Sequence, residues 1–279
     1  MIAKNGDVEI YYEVLGTKEP SILLIEGIGY SSWMWHRQKQ DLAPRRQIIF
    51  FDNRGVGKSS SPPGGYSMHD FVEDIERVVE EARVGRFYLL GVSMGGMIAQ
   101  EYFFSHGQKV CGLILSNTNY GKGSTLPGQD VLQILAQSSS GQFNFDGLVA
   151  RMKPAVSAGF FRDHREEFDD IVRMRLAVGD DAKGYMGQLQ GVAGFDSHDR
   201  LARINVPTLV VTSGEDIVVP PPNATELHRC IPKSRLLVFK GAGHLLCVER
   251  SGDFDREVLS FVDEVESGTF ERTEAPEFV

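Results

Sequence analysis

The run Gly91-Val92-Ser93-Met94-Gly95 fits the pattern G-x-S-x-G, and it lies between an apolar stretch and an apolar-faced one. A serine on a tight strand-to-helix turn has its hydroxyl pushed out at the end of the sheet. Side chains two residues to either side would clash at such a turn, so glycines sit there. The helix that follows would bring its first N–H groups near a developing oxyanion. Without its context the same run is also a Gly-rich turn that packs a helix on a sheet. A serine hydroxyl is a weak nucleophile and needs a base, and the base needs an orienting acid. His244 stands in KGAGHLLCVE, after the apolar run SRLLVF. Asp216 stands in VVTSGEDIVVP, after the apolar run that starts at Thr208. In the order Ser93, Asp216, His244, each side chain follows an expected strand, and the C-terminal ends of parallel strands are where such groups converge.

The elements that must position these residues follow from periodicity. Asn5-Gly6 is a hairpin signal and predicts an antiparallel opening pair. Short apolar runs at 22–25, 47–51, 86–90, 110–115, 208–212 and 234–239 read as strands buried on both faces, as in a parallel sheet. Phe71, Val72, Ile75, Val78, Val79 and Ala82 recur at helical spacing, which predicts a helix with an acidic outer face. Residues 97–105, 166–178, 223–230 and 254–265 read as further helices. From about 120 to 197 no strand is evident and the stretches are helical. The expected fold is therefore α/β, a mostly parallel central sheet with helices on both faces and a helical cap inserted after the sixth strand. The boundaries are 1–119 and 201–279 for the core and 120–200 for the cap (lid), with 267–279 a loose acidic tail.

Composition narrows the function. The 279 residues carry 29 Lys+Arg against 38 Asp+Glu, a formal net charge of −9. That balance argues against a nucleic-acid partner and against an anionic membrane surface. No apolar stretch is long enough to span a bilayer. Asp7 and Glu9 interrupt any secretory h-region in the N-terminal stretch. Three cysteines, Cys111, Cys230 and Cys247, form no CxxC and suit reduced thiols in a cytoplasmic protein. There is no HExxH and no Cys/His cluster in the sequence, so no metal is expected. Gly55-Val56-Gly57-Lys58-Ser59 lacks the spacing of a phosphate loop, and no cofactor is implied.

Taken together, these pieces resemble the α/β-hydrolase family, and the resemblance spans nearly the whole chain. GVSMGG resembles its nucleophile elbow. FDNRGVGKSS, with Asp52, Arg54, Gly55, Gly57 and Ser59, resembles its D-x-R-G-x-G-x-S loop. DIVVP, with Pro220 four residues after Asp216, resembles its acid loop, and the D-x-x-x-P spacing favours Asp216 over Glu215. GAGH, with Glu249 five residues on, resembles its base loop. Ser213 departs from the pattern, where glycine is frequent. Some members carry the acid after the preceding strand, but here that place reads Ser116-Asn117-Thr118. The resemblance implies Ser93 as nucleophile, His244 as general base and acid, Asp216 as its orienting residue, and an oxyanion hole from the Ile28 and Met94 N–H groups. It also implies hydrolysis of a small to medium apolar carboxylic ester or lactone. Enol-lactonases, carbon–carbon bond hydrolases and cofactor-free perhydrolases share the template, and a ligand receptor without turnover is the reading from another class.

Two local expectations complete the picture. Many members have His-Gly where this chain has Glu26-Gly27. A carboxylate aimed at an oxyanion would repel it, so Glu26 is expected to face away from the site and to accept backbone N–H groups or pair with a cation, with Arg54 the favoured partner. Trp33, Trp35, Met94, Phe143, Leu148 and Met186 are expected to line an apolar acyl pocket, with no basic cluster to hold an anionic substrate. His36 could reach the pocket mouth, although an aromatic-flanked loop position usually packs. The sequence leaves a monomer and a homo-oligomer both open.

Overall fold

The computed structural model describes residues 1–137, 144–179 and 181–279. The strands are β1 (Ile2–Asn5), β2 (Val8–Leu15), β3 (Ser21–Ile25), β4 (Ile48–Phe51), β5 (Phe87–Val92), β6 (Val110–Ser116), β7 (Thr208–Ser213), β8 (Ser234–Phe239) and β9 (Glu277–Phe278). They form one sheet in the order β1-β2-β4-β3-β5-β6-β7-β8-β9. β1 and β2 make the expected hairpin around Gly6, and β2 pairs antiparallel with β4. Every pair from β4 through β3 to β9 is parallel.

Helices α1 (Gln38–Asp41), α2 (Met68–Glu81) and α3 (Met94–His106) precede β6. Between β6 and β7 come α4 (Gln129–Gln137), α5 (Phe145–Met152), α6 (Ala158–Asp163), α7 (Arg165–Val178) and α8 (Ala182–Gly194), with no named strand among the described residues. α9 (Pro222–Cys230), α10 (Leu246–Glu249) and α11 (Ser251–Ser267) complete the body. A bridge between Gly121 and Asp196, together with the Ser197 N–H on the Tyr120 carbonyl at 2.9 Å, closes the base of the helical segment.

The two-residue period of the strands divides the core in two. Leu23, Ile25, Ile49, Phe51, Leu89 and Leu113 face one layer with α2 and α3. Ile22, Leu24, Ile48, Phe50, Leu90 and Ile114 face the other with α11. Burial on both faces explains why these strands read as continuous apolar runs. α2 begins at a capping box in which the Ser67 hydroxyl accepts the Asp70 N–H and Asp70 accepts the Ser67 N–H, worth about 1 kcal/mol.

Two expectations fail here. The acidic face of α2 is not wholly outward. Asp74 and Glu76 are buried, Asp74 against Arg54 and Glu76 against Tyr102 and Lys109. Nor is 267–279 a loose tail. Glu277–Phe278 adds a parallel strand to β8, and Val279 exchanges backbone hydrogen bonds with Val238 and Lys240. Two-residue pairing carries no readable periodicity, so composition alone suggested disorder.

Candidate active site

Ser93 follows β5 and opens α3 at φ 57° and ψ −120°. A non-glycine residue with positive φ is strained, and such strain persists where the surroundings impose it. Here the two glycines permit the turn. A Cβ on Gly91 would sit 2.2 Å from the Gly95 carbonyl oxygen, and one on Gly95 would sit 2.1 Å from the Ile25 carbonyl oxygen. The Ser93 N–H donates to Ser116 O at 3.0 Å, and Thr118 Oγ1 donates to Ser93 O at 2.6 Å.

Asp216 lies in the loop after β7 and His244 in the loop after β8, both buried. His244 Nδ1 is 2.8 Å from Asp216 Oδ2. Asp216 Oδ1 accepts the Val218 and Val219 N–H groups, each at 2.8 Å. Asn117 Nδ2 also donates to Asp216 Oδ2 at 2.8 Å and to Ser213 Oγ at 3.0 Å. Four donors thus fix the carboxylate. On the other side of the histidine, Glu249 accepts the Gly243 N–H at 2.9 Å and the Ser157 N–H at 3.1 Å. Glu249 therefore ties the His244 loop to the helical segment, and burial raises its carboxyl above the usual range.

Ser93, Met94, Gly27, Ile28 and His244 all line one cavity of about 370 Å³. Gly27 packs against the serine, since a Cβ there would lie 3.2 Å from Ser93 Cβ. As the first residue of α3, Met94 has an N–H with no intrahelical acceptor. The rest of the wall is mostly apolar and comes largely from α4, α5 and α8, including Leu132, Leu135, Leu148 and Leu189. This volume suits a small or medium ligand.

The pocket expectations divide. Leu148 and Met94 line the cavity. Trp35 does not: it is fully buried in the layer that contains Met34 and Phe50. Trp33 packs against the same layer and is also absent from the wall. Met186 is 47% exposed on the outer face of α8, where the helix turns Tyr185 and Leu189 inward instead. Phe143 lies outside the described residues. His36 stays out of the cavity, with Nδ1 3.3 Å from Trp33 O.

Glu26 faces away from the cavity, as expected, but its partner is not Arg54. Glu26 is fully buried and Oε1 accepts the Asn53 N–H at 2.7 Å. Arg54 turns instead toward α2. It donates to Asp74 Oδ2 at 2.6 Å, to Asp74 Oδ1 at 2.7 Å and to Asp70 Oδ1 at 2.9 Å. Asp70 and Asp74, one helical turn apart, offer two carboxylates to one guanidinium. Burial first, and then the neighbouring Asp52 charge, push the Glu26 carboxyl well above its ordinary range, against the opposing Asn53 N–H. The Trp35 indole, buried beside the carboxyl, opposes the same rise.

Sequence reasoning missed three groupings. Asn117 is a neutral amide, and nothing local in Ser116-Asn117-Thr118 marks it as the donor that fixes Asp216. Arg151 and Arg175, far apart in the chain, both reach the cavity wall. His198, Glu226 and Cys230 gather with ligand atoms within 4.8 Å of one another. Arg229 also holds Glu226 through two hydrogen bonds, of 2.8 and 2.5 Å, so the carboxylate already serves an ion pair.

A family model described as the alpha/beta hydrolase fold matches residues 20–251. The chain belongs to that family. Among curated relatives it is 26% identical over 266 residues to a putative carbamate hydrolase RutD of Azorhizobium caulinodans, covering 95% of this chain and 98% of the relative. It is 26% identical over 256 residues to 3-oxoadipate enol-lactonase 2 of Acinetobacter baylyi, covering 90% and 92%. The crystal structure of a hydrolase from Pseudomonas aeruginosa PA01 superposes with a TM-score of 0.82 at 26% identity, covering 94% of this chain and 97% of that one. Family, fold and these relatives place the chain among hydrolytic enzymes. No helix among the described residues is long and apolar enough to cross a membrane.

Proposed function

We propose that this enzyme is a serine hydrolase that cleaves a small to medium carboxylic ester or lactone through an acyl-enzyme. One observation carries the reading. Ser93 and His244 face the same apolar cavity, and His244 is backed by Asp216 at 2.8 Å. In this mechanism Ser93 Oγ attacks the carbonyl carbon as His244 Nε2 takes its proton. Asp216 accepts the Nδ1–H and holds the imidazole in the tautomer that can act as base. The N–H groups of Ile28 and Met94 receive the oxyanion. His244 then gives the proton to the departing oxygen. Water, activated by the same imidazole, releases the acid and restores Ser93.

Residues 120–200 serve as a cap on a core of 1–119 and 201–279. The cap supplies much of the apolar wall, while the core supplies every group that moves a proton. A small molecule is the only partner this chemistry requires.

The experiment pairs a fluorophosphonate probe with p-nitrophenyl esters and lactones of increasing chain length. The expected result is one probe adduct on Ser93, by intact mass and peptide mapping, and ester turnover abolished in Ser93→Ala. A folded protein with no adduct and no turnover would favour a receptor in place of an enzyme.

A further inference from the structure

Among the described residues, His198, Glu226 and Cys230 are the one group in which three His, Cys, Asp or Glu side chains bring their ligand atoms within 4.8 Å of one another. His198 Nε2 stands 3.0 Å from Glu226 Oε1, and Cys230 Sγ stands 3.4 Å from the same oxygen. Two elements supply them. Glu226 and Cys230 are one turn apart on α9, so they share a face. His198 opens a 3-10 turn, His198–Arg203, just after the bridge between Gly121 and Asp196. Its ring packs on that of Tyr120, 5.0 Å between centres, which holds the imidazole beside Glu226. All three side chains are partly exposed, so a cation has a path to them. None of them lines the cavity that holds Ser93 and His244.

A tetrahedral zinc ion bonded to nitrogen, oxygen and sulfur at its usual lengths spaces those ligands about 3.3–3.6 Å apart. The two separations above depart from that by a few tenths of an ångström, which small side-chain rotations absorb. Thiolate and imidazole suit zinc, whereas magnesium and calcium favour oxygen ligands. Asp199 Oδ1 lies 3.6 Å from His198 Nδ1, the ring nitrogen that does not face Glu226. A carboxylate at that nitrogen orients a ligating histidine. Arg229 is the competitor, since its guanidinium holds both Glu226 oxygens. Its side chain is 67% exposed, and an exposed ion pair contributes little. Arg229 is therefore free to keep Oε2 alone, or to swing into solvent, while Oε1 turns to a cation.

We propose that His198, Glu226 and Cys230 bind a zinc ion, with water as the fourth ligand. On binding, the Cys230 thiol releases its proton to solvent, and the imidazole binds neutral through Nε2. The thiolate and the Glu226 carboxylate together balance the two positive charges of the ion. The ion joins α9, in the core, to the place where the helical segment returns, so it acts as a staple and takes no part in acyl transfer. A metal held only by the folded chain stabilises it by mass action. No sequence motif announces the site, because His198 and Glu226 are 28 residues apart and meet only when the 3-10 turn packs on α9.

The test titrates the chelator-treated full chain with cobalt(II), a spectroscopic stand-in for zinc, and then with zinc against a chromophoric chelator. A thiolate ligand gives cobalt an intense near-ultraviolet charge-transfer band that imidazole and carboxylate ligands do not. The expected result is that band at one equivalent, its loss when zinc displaces cobalt, and a higher melting temperature with zinc. Cys230→Ser should remove the band. His198→Ala should weaken zinc binding by about 100-fold or more, at least the cost of losing an outer partner. Asp199→Asn should cost about tenfold. Arg229→Gln should tighten binding several-fold, because a like charge leaves the site. Melts of the metal-free variants report folding. Cys230 and His198 belong to different elements, so if one variant does not fold the other decides. No band would overturn the proposal. So would a band that survives Cys230→Ser but is lost in Cys111→Ser or Cys247→Ser, or a zinc affinity unchanged in His198→Ala.

Discussion

Asn117 Nδ2 donates to Asp216 Oδ2, the same oxygen that faces His244 Nδ1, and both distances are 2.8 Å. Asn117 holds φ at 47°, a conformation asparagine tolerates better than most residues. The amide thus stands where a carboxylate would compete for the histidine, and it fixes the acid instead.

Replacing Asn117 with Ala should lower kcat for a p-nitrophenyl ester about tenfold, the cost of one hydrogen bond to a charged group. KM should change little, since Asn117 is absent from the cavity wall. Asn117→Asp, which can no longer donate to Asp216, should not restore kcat. A fall in kcat matched by a large rise in KM, or an unchanged kcat, would assign Asn117 to loop packing.

Glu26 should matter for stability rather than chemistry. Its carboxyl is raised when folded, so the folded state keeps a proton that the unfolded chain loses near 4.5. Proton uptake then favours folding, and stability falls as pH rises from about 4.5 through the raised value. Glu26→Gln removes that term. The melting temperature of Glu26→Gln should match the parent at low pH and exceed it progressively above about pH 4.5. Ester turnover should stay within about threefold, as expected for a side chain outside the cavity. Parallel melting curves across the whole pH range would contradict this.

Asp255 offers the same sign with a defined window. Burial first, with the Asp41 charge also raising it against the Gln38 donor, pushes its carboxyl up to about 7 from 3.8. Stability from this group is therefore lost between about pH 4 and pH 7. Asp255→Asn keeps the Gln38 acceptor and stays neutral. Its midpoint in urea should gain on the parent across that window and level off above it.

Arg54 is the counter-charge for Asp74, and both are buried. Arg54→Ala should destabilise the protein by about 3–5 kcal/mol, because it strands a buried carboxylate. Arg54→Met with Asp74→Leu should recover most of that loss. Urea denaturation of the two variants checks the pair, and no recovery in the double variant would mean that the loop's packing, not its charge, is what Arg54 supplies.

What could be read from sequence was local. Ser93, Asp216 and His244 sit on short loops after strands, and each loop's glycines and spacing encode its own geometry. Glu26 was legible as a residue turned from the site, because that followed from charge repulsion. Its partner was not, since Asp70 and Asp74 win Arg54 from a helix sixteen or more residues later in the chain. Trp33, Trp35 and Met186 were misplaced for a related reason. Their types suit a pocket, but which helix or loop face turns inward depends on packing between elements. Arg151 and Arg175 stayed hidden because only the packing of α5 on α7 makes them neighbours.

The bridge from Gly121 to Asp196 brings the two ends of the helical segment together. A stretch that leaves and rejoins its host at one spot in the chain's path is a cassette, even though side chains such as Gln188 and backbone groups such as the Ser157 N–H also dock it on the core. On the mechanism proposed above, exchanging residues 122–195 between family members would change the walls of the cavity while Ser93, Asp216 and His244 keep their places. Selection could then retune what is accepted without touching the residues proposed to do the chemistry.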